Sequence, residues 1–345
     1  IDPARPEVKE AIKIAQRAGI KTVMITGDHI VTASAIAREL GILHDGERAV
    51  TSQELDELSD EYLREHISEF SVFARVAPKD KVRIVEAWQY HDAICAMTGD
   101  GVNDAPALKK AEIGCAMGIT GTDVSKEAAD MILTDDNFST IVSAVKEGRG
   151  IYDNIRKCVK YLLSSNIGEV LTIFVASLLG VIGLLNGEDT TPLAAMHLLW
   201  INLITDSLPA FGIGMEEAED EIMLEKPRPK HEGFFANGYA VKIVLEGIVI
   251  GAVTLIAYLI GQNASGYDHT TQHMIGQTMA FLTLSSTQLF HAYNVKSHHS
   301  VFNPKSYKNS FMNFAFILGF VLQILVVYLP GVSDLFEFYP INFGY

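Results

Sequence analysis

Cysteine is scarce in this chain of 345 residues: Cys95, Cys115 and Cys158 are its three thiols, and they show no pair spacing. That excludes a disulfide scaffold and a thiolate metal cluster, and the three read as reduced residues in or beside the soluble part. Positive charge is scarce too. Lys and Arg number 27 against 42 Asp and Glu, a net charge of −15, so a nucleic-acid partner has no electrostatic support. An initiator methionine and a signal-peptide pattern are both missing, and the opening Ile-Asp-Pro-Ala-Arg reads as part of a longer protein. Long hydrophobic runs are missing from the first 157 residues and frequent after them. A mean hydropathy of +0.19 averages over those two regimes.

Residues 1–146 read as alternating helices and strands. Arg5–Ala18 carries Val8, Ala11, Ile12 and Ala15 at helical spacing, and Gly19 stops it. Ile20–Ile25 is a short run rich in β-branched residues that leads into Thr26-Gly27-Asp28 and a helix to Leu40. Ser52–Ile67 is a polar helix, and Lys79–Gln89 and Asp104–Ala111 are two more. Val72–Val76, Ala93–Met97, Ile113–Met117 and Met131–Thr134 read as strands. This alternation predicts a mostly parallel sheet covered on both faces, with its chemistry at the carboxyl ends of the strands.

Three groups fall at such ends. Thr26-Gly27-Asp28 offers a hydroxyl and the amides of a glycine turn to phosphate oxygens, although a plain turn has the same composition. In Gly99–Leu108 (GDGVNDAPAL), Asp100 supplies a hard carboxylate oxygen suited to Mg²⁺, and Asn103 and Asp104 are placed to order the loop. Two glycines, two acids and an amide between Thr98 and Asp104 are poor packing material, which points to chemistry. Lys81, after Ala77-Pro78, is a fixed positive charge suited to a phosphoryl group, whose charge spreads over three oxygens.

Five apolar segments follow, at about 159–185, 193–214, 240–261, 274–293 and 311–330, each near the ~20 residues that span a bilayer. Basic residues alternate between their flanks. Arg149, Arg156, Lys157 and Lys160 precede the first; Lys226, Arg228, Lys230 and Lys242 lie between the second and third; Lys296, Lys305 and Lys308 lie between the fourth and fifth. Residues 186–192, 262–273 and the tail after Pro330 contain none. The pattern predicts an integral, multi-pass protein whose soluble half faces the cytoplasm. No proline interrupts Phe138–Leu185, so one helix is expected to join the soluble half to the bilayer, with Gly148, Gly150 and Gly168 as alternative hinge points.

Polar side chains in lipid are costly and need an account. Asn166 and Glu169 share a helix face, as do Asn202, Thr205 and Asp206 at i, i+3 and i+4. Pro209 has no N–H to give the Thr205 carbonyl, which leaves that oxygen available. Two carboxylates, two amides, a hydroxyl and a carbonyl form a hard oxygen set that suits Ca²⁺; ligand type alone does not separate it from Mn²⁺ or a monovalent cation. Interhelical hydrogen bonding, worth about 1 kcal/mol per pair, is the plain alternative, and it does not account for two acids in hydrocarbon. Glu246, the Gly247–Gly251 spacing and Gln323 read as structural.

MITGD, APKDK and MTGDGVNDAPALKKAEIG resemble the phosphorylation domain of P-type ATPases, members of the haloacid-dehalogenase superfamily. SSNIGEV and WINLITDSLPA resemble the fifth and sixth membrane helices of that family's calcium pumps. The resemblance implies an α/β haloacid-dehalogenase-like (Rossmannoid) partial domain over residues 1–146, the distal half of the phosphorylation domain. An all-α stalk and multi-span membrane domain over residues 147–345 would follow it. It implies that Thr26, with Gly27 and Asp28, and Lys81 hold the phosphoryl group, and that Asp100 holds Mg²⁺ with Asn103 and Asp104 in support. Asn166, Glu169, Asn202, Thr205 and Asp206 would bind Ca²⁺. Where the calcium pumps have a Glu in the eighth helix, this sequence has Gln288, and the number of calcium sites turns on that position.

The family's DKTGT motif, which carries the phosphorylated aspartate, is not in the chain, nor are its TGE string and its nucleotide-binding domain. The expectation is therefore part of an ATP-driven, Mg²⁺-dependent Ca²⁺ pump with protons as counter-ions, inactive alone. Its partners are the bilayer and the missing N-terminal part of the same pump. A truncated, non-catalytic membrane partner is the alternative from a different class.

Overall fold

The computed structural model describes residues 5–185, 190–297, 303 and 307–341, in two compact units: residues 1–150 with 218–232, and residues 151–217 with 233–345. Lys305, loop residues 186–189 and the tail residues 342–345 used above for orientation lie outside the described residues.

The first unit opens with α1 (Pro6–Arg17), which starts on proline and buries Ala11, Ile12 and Ala15. There follow β1 (Met24–Thr26), α2 (Ile30–Leu40), β2 (Arg48–Thr51), α3 (Ser52–Glu57), α4 (Asp60–His66), β3 (Phe70–Ala74) and α5 (Pro78–Gln89). Then come β4 (Ala96–Gly99), α6 (Ala105–Lys110), β5 (Ile113–Met117), α7 (Asp123–Ala128) and β6 (Met131–Leu133). Gly41 ends α2 at φ 79°, a left-handed conformation that glycine adopts without a Cβ penalty.

Every strand pairing is parallel, in the orders β1-β3-β2 and β4-β5-β6, so β1 and β4 are edge strands. β3 is buried along its whole length, as a strand covered on both faces must be. Ala33, Ala37 and Leu40 of α2 pack with Val72 and Ala74, and Leu63 and Ile84 pack with Phe73.

The long polar helix expected over Ser52–Ile67 is instead two helices. Thr51 and Glu54 form a reciprocal cap on α3, with Thr51 N–H donating to Glu54 Oε2 at 2.8 Å. Ser59 Oγ accepts the Tyr62 N–H at 3.2 Å and starts α4 anew. Two good N-caps eight residues apart favour two short helices over one. β2 and α7 appear where no element was expected, and the β4 strand lies at Ala96–Gly99 rather than Ala93–Met97.

α8 (Phe138–Val181) is one helix of 44 residues; its first part, to Gly150, groups with the first unit. The second unit continues with α9 (Ala195–Trp200), a π-helical turn (Ile201–Thr205), α10 (Ser207–Gly214), α11 (Tyr239–Gln262), α12 (His269–Lys296), α13 (Ser310–Tyr328) and α14 (Val332–Leu335). Among the described residues, α8, α11 and α13 are the three helices long and apolar enough to cross a membrane. The segment 193–214 is broken by the π turn, and α12 buries Gln277, Thr278, Ser285 and Gln288 among its apolar residues.

α8 and α11 approach closely at glycines. A Cβ on Gly168 would stand 2.7 Å from Ile250 Cγ2, and one on Gly251 would stand 3.0 Å from the Gly168 carbonyl. Thr172 Oγ1 donates to that carbonyl at 2.7 Å. Small residues that let backbones meet are how apolar helices associate where no hydrophobic force separates them from lipid.

Candidate functional site

Ile25 and Met97, the residues immediately before Thr26 and Thr98, pack into one buried cluster with Val85, Ala107 and Leu108. The candidate phosphate loops therefore leave the carboxyl ends of β1 and β4 from a shared core. Thr26 Oγ1 accepts the Asp28 N–H at 3.1 Å, a side-chain turn that leaves Gly27 and Asp28 exposed.

After β4, a single 3₁₀ turn (Val102–Asp104) leads into α6. Asp104 is only 6% exposed. Its Oδ2 accepts the N–H of Asp100 at 3.2 Å and of Gly101 at 3.0 Å, and its other oxygen pairs with the Lys81 ammonium. A Cβ on Gly99 would overlap that carboxylate, so the loop closes only around glycine. Lys81 is aimed by the start of α5, where buried Asp80 accepts the Ala77 N–H at 3.1 Å and the Ser52 hydroxyl at 2.6 Å. Thr122 N–H and Ser125 Oγ donate to the Asp100 carbonyl at 2.8 and 3.1 Å. The structure thus joins Lys81, Asp104 and the Asp100 backbone in one network. Asp104 has its oxygens engaged, whereas the side chains of Asp100 and Asn103 are exposed.

The neighbouring loop, after β5, is tied by Asp136. Its carboxylate accepts Ile119 N–H at 3.0 Å, Thr120 N–H at 2.8 Å and the Thr120 hydroxyl at 2.8 Å. Those donors, the Ile119 amide first, hold its pKa down at about 2.

In the second unit Glu169 is 5% exposed and doubly held. Gln288 Nε2 donates to its Oε1 and Asn202 Nδ2 to its Oε2, both at 3.0 Å. The Asn202 amide also donates to the Leu198 carbonyl at 3.0 Å. Asp206 is 1% exposed; Tyr161 OH donates to its Oδ1 at 3.1 Å, and its Oδ2 has no hydrogen-bond partner. Gln288 Oε1 and the Ser165 hydroxyl are likewise buried without partners. A buried polar atom without a partner costs on the order of 1–3 kcal/mol, so these oxygens call for a ligand.

The π turn supplies the local geometry. Asp206 N–H bonds the Ile201 carbonyl at 2.9 Å, five residues back, and Ser207 Oγ donates to the Asn202 carbonyl at 3.0 Å. Such bulges insert one residue and recur at functional sites. Thr205 is buried within this turn, while Asn166 is exposed and stands outside the network. The sequence pattern missed Tyr161, Ser165 and the π turn. An aromatic hydroxyl eight residues before Glu169 on the same helix was the available signal. Among the described residues no three His, Cys, Asp or Glu gather as a metal centre, so the candidate set is two carboxylates with neutral oxygens.

Residues 190–345 match the model of the cation transporting ATPase C-terminus, and residues 1–112 and 81–145 match models of haloacid dehalogenase-like hydrolases. A calcium-transporting ATPase of Bacillus subtilis is 46% identical over 345 residues, covering 100% of this chain and 37% of that protein. Calcium-transporting ATPase 1 of Bacillus cereus is 46% identical over 97% of the chain and 38% of its own length. Calcium-transporting ATPase 1 of Lactococcus lactis is 44% identical over 100% of the chain and 37% of its own length.

The chain belongs to the P-type cation-transporting ATPases. It spans little more than a third of the length of these curated relatives. The fold expected of the ATPase is present: a haloacid-dehalogenase-like α/β unit with parallel sheets, then the apolar helices of an integral membrane protein.

Proposed function

We propose that this ATPase chain is the distal part of an ATP-driven pump that moves Ca²⁺ across a membrane through an aspartyl-phosphate cycle. The observation that carries the reading is a pair of acids, Glu169 and Asp206, buried in apolar helices, with one Asp206 oxygen lacking any protein partner. Two carboxylates in hydrocarbon are tolerated when a cation neutralises them. Asn202, Thr205 and Ser165 add neutral oxygens, and Asn166 and Asn202 present amides on the outer face of the helices, where spans supplied by the rest of the pump would complete the shell. Gln288 fills its position with a neutral donor, which favours one calcium ion per cycle. Once the cation leaves, the emptied carboxylates take up protons, which makes protons the counter-ion.

In this reading residues 1–146 are the distal half of the phosphorylation domain and 147–345 the stalk and membrane domain, with the soluble half in the cytoplasm. The spans are five, α9–α10 and α12 counting with the three most apolar helices. β1 and β4 are edge strands whose loops carry the candidate chemistry, and Ile25 of β1 and Met97 of β4 share a core. The remainder of the pump supplies the phosphorylated aspartate on a strand that pairs between them, since unpaired edges in a covered sheet invite one. Thr26 and Gly27 would then hold phosphoryl oxygens and Lys81 would leave Asp104 for the phosphate. Asp28 and Asn103 line the loops, and Asp104 shapes the Asp100 turn. Asp100, exposed and carrying a hard oxygen, would hold Mg²⁺, which when bound neutralises phosphate charge.

The test is acid-stable labelling of the full-length protein by γ-labelled ATP. The reading expects labelling that requires Ca²⁺ and fails in Asp100→Asn. Labelling that follows Mn²⁺ or a monovalent cation and ignores Ca²⁺ would replace calcium as the cargo. No labelling under any cation would favour a non-catalytic role.

A further inference from the structure

α9 is capped by its own third residue. His197 Nδ1 accepts the Ala194 N–H at 3.2 Å, so the ring proton sits on Nε2, which donates to the Phe336 carbonyl at 2.7 Å. The ring is fully buried. It stacks on Phe338 with centroids 4.4 Å apart and lies 5.8 Å from Phe281 of α12. Phe336 and Phe338 flank Glu337, a non-glycine residue at φ 56°, and Tyr339 N–H donates to Thr278 Oγ1 at 3.0 Å. The segment after α14 is thereby folded back and fastened to α12, at a cost in backbone strain that its contacts must offset.

On its other side α9 leads into the candidate cation site. The Leu198 carbonyl, one residue past His197, accepts Asn202 Nδ2, and the same amide donates to Glu169. α9 has six residues, too few to hold its own place by helix propensity. Its position is set from outside, by His197 at one end and the π turn at the other.

We propose that His197 is a positioning residue for cation binding: its bond to the Phe336 carbonyl anchors α9, and through α9 it sets Asn202 against Glu169. This rests on the reading of Glu169 and Asn202 as cation ligands.

The test compares calcium uptake by vesicles of the full-length pump carrying His197→Asn, His197→Gln or His197→Phe. The Asn oxygen replaces Nδ1 and keeps the Ala194 cap, but its side chain falls short of Phe336. The Gln amide reaches Phe336, and Phe keeps the stacking alone. Loss of that one hydrogen bond is expected to raise half-saturating calcium about 3- to 10-fold in Asn and Phe. Their maximal rate, and the affinity of His197→Gln, should stay within about twofold of native, the scale of a few tenths of a kcal/mol. A merely structural role would lower the amount of folded pump and the maximal rate and would not be rescued by Gln. Native affinity in His197→Asn, or equal weakening in Asn and Gln, overturns the proposal. If His197→Phe does not fold, the Asn and Gln pair decides. Asp206→Asn, run alongside, separates the two claims: retained uptake there removes the site reading itself, whereas lost uptake with native affinity in His197→Asn removes only this proposal.

Discussion

Gln288 on α12 gives its amide to Glu169 on α8 at 3.0 Å, and its own oxygen finds no partner. A glutamate at that position would turn a donor–acceptor contact into two facing acceptors, which only a proton or a further cation can reconcile. Gln288→Glu is therefore expected to raise the calcium carried per ATP hydrolysed by the full-length pump. An unchanged ratio would leave Gln288 without a stoichiometric role.

Asp104 receives two backbone amides and the Lys81 ammonium while nearly buried. Asp104→Ala strands all three donors, and the first unit is expected to lose about 2 kcal/mol, the cost of unsatisfied buried groups. Lys81→Met should cost less, because Asp104 keeps its amide partners. Thermal denaturation of the two variants compares them, and equal losses would contradict the ranking.

Gly168 is one point of close approach between α8 and α11, with Ile250 in the way of any added Cβ. Gly168→Ala should destabilise the helical unit by about 1–3 kcal/mol, the usual cost of overpacking. Ile250→Ala in the same chain should recover part of it by clearing the space. Thermal stability in detergent reports both, and additive losses in the double variant would rule out the proposed clash.

Cys95 is a half-buried thiol pushed up to about 11, by burial first and then by the nearby Glu112 carboxylate. A raised thiol pKa means the reactive thiolate is suppressed until the pH nears that value, so at pH 8 about one molecule in a thousand carries it. Maleimide labelling of Cys95 should be slow at pH 8 and accelerate as the pH rises toward 11. Rapid labelling at pH 8 would show the thiol to be freer than its packing implies.

If β1 and β4 each pair with a strand from the rest of the pump, those amides of Met24–Thr26 and Ala96–Gly99 that point away from β3 and β5 should be slow to exchange hydrogen in the full-length protein. Rapid exchange at both would leave the edges unpaired and the strand assignment without support.

The parallel α/β architecture was legible because short apolar runs alternate with helical periods, and glycine turns follow β1 and β4 at Gly27 and Gly101. β2 escaped notice because Arg48–Thr51 is four residues with a single buried side chain, Val50, too short for a period to show. The split of Ser52–Ile67 turned on two capping hydroxyls, a local competition that helical spacing does not weigh. Lys81, Asp100 and Asp104 stood out in the sequence as polar residues at strand ends, yet only the fold reveals that Lys81 rests on Asp104. Glu169, Asn202 and Asp206 stood out as polar residues in apolar segments. Tyr161 did not, because an aromatic residue in such a segment looks like packing until its hydroxyl is seen on Asp206. The π turn is a backbone register change that no side-chain periodicity announces.

The most direct measurement is ATP-dependent uptake of radiolabelled calcium into vesicles by the full-length pump, native against Asp206→Asn. With the buried carboxylate replaced by an amide, uptake is predicted to vanish while the protein still folds. Native uptake by Asp206→Asn would contradict the assignment of the cation to this pair of acids.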